Sequence, residues 1–97
     1  MKTLKEKDYL TAAKGLKALS HPARLSILCH LQNKESTVND LVNYTKMSQS
    51  AVSQHLSKMK ASDILRDRRE GNKVYYFVAD SRFEKLVTAL CHIYSEK

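Results

Sequence analysis

The stretch SQSAVSQHLSKM, residues 48–59, decides the fold of this chain. Wound at about 100° per residue, it places Val52, Leu56 and Met59 on one side of a helix. The other side is polar and free of acidic residues. Its small hydroxyl side chains would let the helix approach the DNA major groove, where Gln can contact a base edge, while Lys can contact a phosphate of the backbone. Taken alone, such a polar face could equally be an ordinary solvent-exposed surface without a DNA-binding role. The predicted DNA contacts are Ser48, Gln49, Ser50, Ser53, Gln54, His55, Ser57 and Lys58.

The chain after this stretch changes to the period of strands. Ile64–Arg69 and Lys73–Val78 are short runs joined by a break that contains Gly71, which predicts a β-hairpin. The basic residues of this hairpin could also be an ordinary charged strand edge, which prevents aggregation through edge-to-edge pairing. Next to a candidate reading helix, however, the basic turn favours phosphate or minor-groove contact, which we assign to Arg68, Arg69 and Lys73.

The remaining segments have helical spacing. Asp8–Leu19 carries apolar residues on one side, and Ser20, followed closely by Pro22, predicts the start of a second helix capped by that serine. Thr37 is the expected cap of a short third helix, and a capping box at 81–84 opens a last one. We therefore expect a mainly α chain with a small β-hairpin. Its order, four helices, two strands and a helix, is that of a winged helix-turn-helix in a single domain, residues 1–97.

Composition narrows the class of function. The 97 residues carry a formal net charge of +7, which favours nucleic acid first and anionic membrane second as a partner. No apolar run approaches the roughly 20 residues of a membrane span, and Met1–Asp8 is polar, so we expect a cytoplasmic protein without membrane contact. No phosphate loop, hydrolytic metal motif or supported Ser-His-Asp order is present, so we expect neither an enzyme nor a cofactor. The alternative function is a protein-interaction module whose winged helix has lost DNA binding. The outward Gln54 and Lys58 and the basic hairpin argue against it.

Three segments resemble one known family. LSHPARLSIL (19–28) resembles the second-helix signature of the ArsR/SmtB family of bacterial regulators, the stretch 48–59 its recognition helix, and RREGNKVYY (68–76) its wing. The resemblance covers nearly the whole chain from Ala12 onward. It implies a homodimer formed through the first and last helices, double-stranded DNA with a palindromic operator as the partner, and repression until an inducer is sensed. The apolar stripes of those two helices agree with such a dimer.

Metal is the commonest inducer in that family, but the residues matching its metal sites differ here. STVNDL (36–41) has no cysteine where the arsenic and cadmium sensors carry a pair. Arg82 stands two residues after Asp80, where the zinc sensors have a histidine, and His92 with Glu96 is too small a set for tetrahedral zinc. We assign no metal site, although His21, His30 and the two cysteines keep a metal-responsive repressor open as the alternative.

The cysteines resemble those of one branch of the family. Cys29 matches the second-helix cysteine of regulators that sense persulfides or oxidants through a dithiol, among them regulators of sulfide oxidation and biofilm growth and the haemolysin activators of vibrios. Their second cysteine directly follows an aromatic residue, where this chain has Ser95 after Tyr94. Cys91 lies one turn earlier, about 6 Å along the axis, and a disulfide tolerates Cα separations of up to about 7 Å. The resemblance thus makes Cys29 and Cys91 candidate sensors, against the alternative of two buried thiols without a sensing role.

Overall fold

Five helices and two strands make up residues 4–95, which are the residues that the computed structural model describes. The elements are α1 (Glu6–Leu19), α2 (Pro22–His30), α3 (Val38–Thr45), α4 (Gln49–Ala61), β1 (Leu65–Glu70), β2 (Lys73–Val78) and α5 (Ser81–Tyr94). The predicted order is confirmed, and the largest boundary differences are a two-residue earlier start of α1 and a one-residue shift of β1. None of the helices within residues 4–95 is both long enough and apolar enough to cross a membrane.

Two predicted helix caps are confirmed. The hydroxyl of Thr37 accepts a hydrogen bond from the amide of Asp40, whose carboxylate accepts one from the amide of Thr37 at 3.0 Å. This backbone hydrogen bond is the main reason why the pKa of Asp40 lies below its ordinary value. At the start of α4, the hydroxyl of Ser48 accepts from the amide of Ala51. These side chains satisfy amide groups that the first turn leaves without partners, and so fix where α3 and α4 begin.

Two other predicted caps are wrong by one residue. The cap of α2 is His21, whose Nδ1 accepts from the amide of Ala23, because the hydroxyl of Ser20 donates to a carbonyl at the end of α1. The cap of α5 is Asp80, not Ser81. The carboxylate of Glu84 is not part of a capping box there, since it accepts from the amide of Asn33 at 2.5 Å.

The two strands form an antiparallel hairpin that is attached to the chain before α3. Leu65 is paired with Val78 and Glu70 with Lys73, so the connection is the two residues Gly71-Asn72. Gly71 has a φ of 63°, a left-handed conformation that costs glycine little. On the other side of β2, the backbone groups of Ser36 and Tyr76 exchange hydrogen bonds of 3.1 and 2.8 Å. This bridge fixes the hairpin beside the helices.

The hydrophobic core lies between α2, α3, α4 and the start of β1. Its buried members are Leu19, Ile27, Leu28, Leu31, Leu41, Val52, Leu56, Met59, Leu65 and Val87. Burying a side chain of this size stabilises a fold by about 1.5–3 kcal/mol. Val52, Leu56 and Met59, the predicted inner side of α4, therefore stabilise the fold. The core residues come from six of the seven elements, so α4 shares one core with most of the described chain.

The outer helices α1 and α5 contribute little to this core. Of α1 only Ala18 and Leu19 are buried, and of α5 only Val87. The two helices approach each other where the ring of Phe83 lies against Gly15, 3.3 Å from the position that a Cβ would occupy. Large apolar side chains of both helices are exposed, namely Tyr9, Leu10 and Leu16 of α1 and Ile93 and Tyr94 of α5, and Leu4, just before α1, is exposed as well.

Candidate nucleic-acid interface and cysteine pair

The turn between α3 and α4 is short and fully hydrogen-bonded. Thr45 ends α3 with its hydroxyl donating to the carbonyl of Leu41 and accepting from the amide of Met47. Lys46 adopts a left-handed conformation with φ 65°, and its amide donates to the carbonyl of Val42. Such a residue stops one helix and redirects the chain into the next within three residues. The turn thereby fixes the direction of α4, the defining feature of a helix-turn-helix.

The outward face of α4 is as polar as the sequence predicts. Val52, Leu56 and Met59 are buried on the inner side, whereas Gln49, Ser50, Gln54, Ser57 and Lys58 are exposed and Ser53 is half-buried. The hydroxyl of Ser48 is engaged in capping, which leaves its other lone pair for a ligand. No acidic residue lies within α4, so nothing on this helix repels a phosphate backbone.

His55 lies at the margin of that face and packs inward. Its ring meets the ring of His21 edge to face, with centroids 4.9 Å apart. Burial is the main cause that lowers the pKa of His55, and the nearby charges of His21 and Arg24 act in the same direction. Its Nδ1 is buried and has no hydrogen-bond partner within residues 4–95. His55 therefore connects the start of α2 to the middle of α4.

The hairpin lies next to α4 and is tied to it by an ion pair. The Nζ of Lys60 donates to Asp67 Oδ2 at 2.9 Å, and this hydrogen bond is the main cause of the raised pKa of Lys60. The exposed guanidinium and ammonium groups of Arg66, Arg69 and Lys73 form no ion pair with any residue of 4–95. Arg68 differs from them, because two carboxylates hold it.

Cys29 and Cys91 form a disulfide that joins α2 to α5. The two residues are 62 positions apart in sequence, and their Cα atoms are 6.3 Å apart. Cys91 therefore reaches Cys29 although it lies one turn before the position expected from the resemblance. An open cleft of about 390 Å³ borders both sulfur-bearing residues, with Leu25, Gln32, Tyr44, Leu90, Tyr94 and Ser95 completing its lining. Both cysteines are half-buried.

Asp80, one of the positions weighed for a metal, is engaged in other contacts. Asp80 caps α5 and forms an ion pair with Arg82 at 3.0 Å. No three His, Cys, Asp or Glu residues of the described segment 4–95 are grouped closely enough to hold a metal ion. Glu96, which the sequence pairs with His92, lies outside the described residues.

Comparison with known proteins agrees with this geometry. Residues 21–67 match the model of "Bacterial regulatory protein, arsR family". The nodulation protein NolR of Rhizobium meliloti is 38% identical over 95% of this chain and 75% of its own length. The solved structure of HlyU from Vibrio cholerae is 32% identical, covers 95% of this chain and 100% of that one, and has a TM-score of 0.89.

A second solved structure agrees as well. The transcriptional repressor BigR from Xylella fastidiosa is 33% identical, covers 95% of this chain and 94% of its own, and has a TM-score of 0.85. The winged helix-turn-helix predicted from the sequence is therefore confirmed. These relatives are named as regulators rather than enzymes, in keeping with the prediction that the chain is not an enzyme.

Proposed function

The chain belongs to the arsR family of bacterial regulatory proteins, and we propose that it is a homodimeric, cytoplasmic transcription repressor whose hold on DNA is set by the state of Cys29 and Cys91. HlyU is described as a transcriptional activator and the biofilm growth-associated proteins as repressors, so control of transcription is common to these relatives. The observation that carries the proposal is the acid-free outer face of α4 beside a basic hairpin.

Two groups of residues contact DNA in this proposal, one on α4 and one on the hairpin. Gln54 and the serines of α4 are short enough to enter the major groove and read base edges, with Ser48, Gln49 and Lys58 available to phosphates. In the hairpin, Arg69 and Lys73 are exposed cations that can follow the DNA backbone or enter the minor groove. Two copies related by a two-fold axis would present two such surfaces, which matches a palindromic operator.

The apolar side chains of α1 and α5 support the homodimer. Tyr9, Leu10 and Leu16 are 56–66% exposed on α1, and Ile93 and Tyr94 are 66% and 79% exposed on α5. Large apolar groups gathered at two neighbouring helices are typical of an interface between subunits. A second copy of this chain covers them in our proposal, and the α1–α5 pairing implied by the family resemblance uses the same helices.

The proposed switch is a change in the covalent state of the two cysteines. In the reduced state both are thiols or thiolates. A Cys29 thiolate attacks a polysulfide and takes one sulfur, which releases a polysulfide that is one sulfur shorter. The thiol of Cys91 then attacks the Cys29 sulfur of this persulfide, which forms the disulfide and releases hydrosulfide. Two electrons pass from the thiols to the polysulfide, and α2 becomes bonded to α5.

The first experiment tests DNA binding by its dependence on salt. Fluorescence anisotropy of a labelled duplex from upstream of the gene should give an affinity that falls steeply with salt, because each phosphate contact releases counterions. Gln54→Ala should lower the affinity for the operator by about ten-fold and leave the affinity for unrelated DNA nearly unchanged. Arg69→Gln should weaken binding to both and reduce the salt slope by about one. Salt-independent binding would exclude this function.

The second experiment tests the cysteines by mass spectrometry. Reduced protein is treated with inorganic polysulfide, and the intact mass and the peptides of 29 and 91 are then measured. We expect a bridge between Cys29 and Cys91 in the wild type and a persulfide without a bridge in Cys91→Ser. Ser95→Ala, which changes a neighbouring hydroxyl directly after the same helix, is the control and should form the bridge. Unmodified thiols in the wild type would contradict the sensing part and leave DNA binding untouched.

A further inference from the structure

Arg68 differs from the other cations of the hairpin because its guanidinium already has acidic partners. Its Nε donates to Glu35 Oε1 at 2.6 Å and its Nη1 to Glu70 Oε1 at 2.8 Å. The guanidinium carbon also lies 4.7 Å from the centroid of the Tyr75 ring, across the hairpin. One positive and two negative charges leave this cluster with a negative sum, which opposes rather than attracts a phosphate.

Glu35 belongs to a different part of the chain from the hairpin. It precedes Ser36, whose backbone is bonded to Tyr76 of β2, so it lies in the loop that leads into α3. The ion pair between Arg68 and Glu35 therefore connects the hairpin to the body of the protein. Glu70, by contrast, lies on the same strand as Arg68 and connects nothing beyond the hairpin.

A second ion pair connects the opposite face of β1 to the body. Successive side chains of a strand point to opposite faces, so Asp67 and Arg68 lie on different sides of the hairpin. Asp67 is bound by Lys60 of α4, and Arg68 is bound by Glu35. Each face of the hairpin therefore has one ion pair to the body of the protein, in addition to the Ser36–Tyr76 bridge at one edge.

We propose that Arg68 and Glu35 together hold the hairpin at the angle to α4 that DNA requires, so that Arg68 is a positioning residue and not a phosphate ligand. The proposal rests on the DNA-binding function proposed above. It revises the expected role of Arg68 and leaves Arg69 and Lys73 as the cations that contact DNA. For Arg68 to act as a phosphate ligand, its guanidinium would have to approach the DNA together with two carboxylates, which repel the phosphate.

The sign of the effect of Glu35 on DNA affinity tests this assignment. Glu35→Gln removes a negative charge near the DNA-facing side, which would strengthen binding if Arg68 were a phosphate ligand freed by the change. If the pair holds the hairpin in position, Glu35→Gln weakens binding by about two- to five-fold, the range for an exposed ion pair. Glu70→Gln is the matched control, since it removes the other partner of Arg68 and should leave binding equal or tighter. Equal or tighter binding by Glu35→Gln would overturn the proposal.

The double variant separates an ion pair from two independent charge effects. Arg68→Gln and Glu35→Gln change the net charge in opposite directions, yet both break the same connection. We expect the two single variants to share one affinity and one salt slope, and Glu35→Gln/Arg68→Gln to bind no more weakly than Arg68→Gln alone. Opposite shifts in the single variants, or additive losses in the double variant, would identify Arg68 as a direct contact.

Amide hydrogen exchange without DNA tests the connection independently of DNA binding. Exchange within residues 65–78 should be about two- to five-fold faster in Glu35→Gln and Arg68→Gln than in the wild type, and unchanged in Glu70→Gln. Wild-type exchange in Glu35→Gln would overturn the proposal. If the wild type fails to bind DNA, the proposed function fails, and this exchange measurement still decides whether Glu35 holds the hairpin.

Discussion

The segment from α3 to β2 and the outer helices α1 and α5 bury their apolar side chains to very different degrees. Leu41, Val52, Leu56, Met59 and Leu65 are at most 1% exposed. On α1 and α5, by contrast, several large apolar side chains are more than half exposed, including Leu10 at 66% and Tyr94 at 79%. Of the large apolar side chains in residues 38–78 only Tyr44, at 51%, is exposed, whereas α1 and α5 leave five exposed.

In our proposal, this difference separates the part that reads DNA from the part that responds to a signal. The helix-turn-helix and hairpin need a fixed shape to match a groove, and a closed core with capped helices supplies it. Helix α5 fully buries only Val87, packs Phe83, Leu86 and Leu90 partly against the core, and is bonded to α2 by the disulfide. An element with few buried contacts moves more readily, so a single covalent bond has a large influence on its position.

The largest expected effect is the loss of the disulfide. Closing a loop with a separation of 62 residues stabilises a fold by about 4 kcal/mol when the bond is viewed as a constraint on the unfolded chain. Reduction should therefore lower the free energy of unfolding by about that amount, measured by urea denaturation at one fixed protein concentration. Cys29→Ser is the control and should give the same curve with and without reductant. Identical curves for oxidised and reduced wild type would contradict a stabilising role for this bond.

A core substitution in α4 should come next in size. Leu56→Ala removes a side chain that is 1% exposed and should cost about 3 kcal/mol of unfolding free energy, through lost burial and the cavity left behind. Leu56→Met keeps most of the volume and should cost less than about 1.5 kcal/mol. Chemical denaturation of reduced protein measures both. A cost for Leu56→Ala below that for Leu56→Met would show that this region is less tightly packed than its burial indicates.

The exposed stripe of α1 should control association rather than folding. Leu16→Glu puts a charge into an apolar surface that a second subunit covers in the proposed dimer, so the dimer Kd should rise at least about ten-fold, or about 1.4 kcal/mol. Thr11→Glu places the same charge on the same helix away from the stripe and should leave the Kd near that of the wild type. Sedimentation equilibrium distinguishes them, and equal dimer Kd values would place the interface elsewhere.

A smaller effect is expected from pH. Burial lowers the pKa of His55, so the folded chain binds fewer protons than the unfolded chain near the ordinary value of 6.5. The stabilisation is complete above that value and is lost as the pH falls through the lower folded pKa. Replacing His55 by Gln should therefore flatten the decline of unfolding free energy between roughly pH 7 and 5. His92→Gln controls for loss of an imidazole at an exposed site, and a decline as steep in His55→Gln as in wild type would contradict this account.

Local patterns were sufficient to predict the elements, but the choice between neighbouring caps depended on distant residues. Ser81 and Asp80 are both good caps, and the carboxylate of Glu84, which would complete a capping box with Ser81, is used by the amide of Asn33, 51 positions away. Similarly, Ser20 bonds back to α1 and leaves the cap of α2 to His21. Such choices follow from how the helices pack, which a short stretch of sequence does not contain.

The candidate site was predictable to the same extent. The inner and outer sides of α4 follow from helical period alone, and the structure agrees with both. Pairing of Cys29 with Cys91 depends on the rotation and crossing of two helices, so spacing within α5 alone left it open. Glu35 lies 33 positions before Arg68, and no local signal marks it as the partner of that arginine. The long-range contacts of a site are the part that requires the fold.

The central claim, that the cysteine pair controls a DNA-binding surface, is tested most directly by one titration. The reduced wild type is titrated against duplex DNA from upstream of its own gene by fluorescence anisotropy, and the titration is repeated after treatment with inorganic polysulfide. Our account predicts that treatment weakens binding at least about ten-fold in the wild type and has no effect on Cys29→Ser or Cys91→Ser. Equal affinity of the reduced and treated wild type would contradict it.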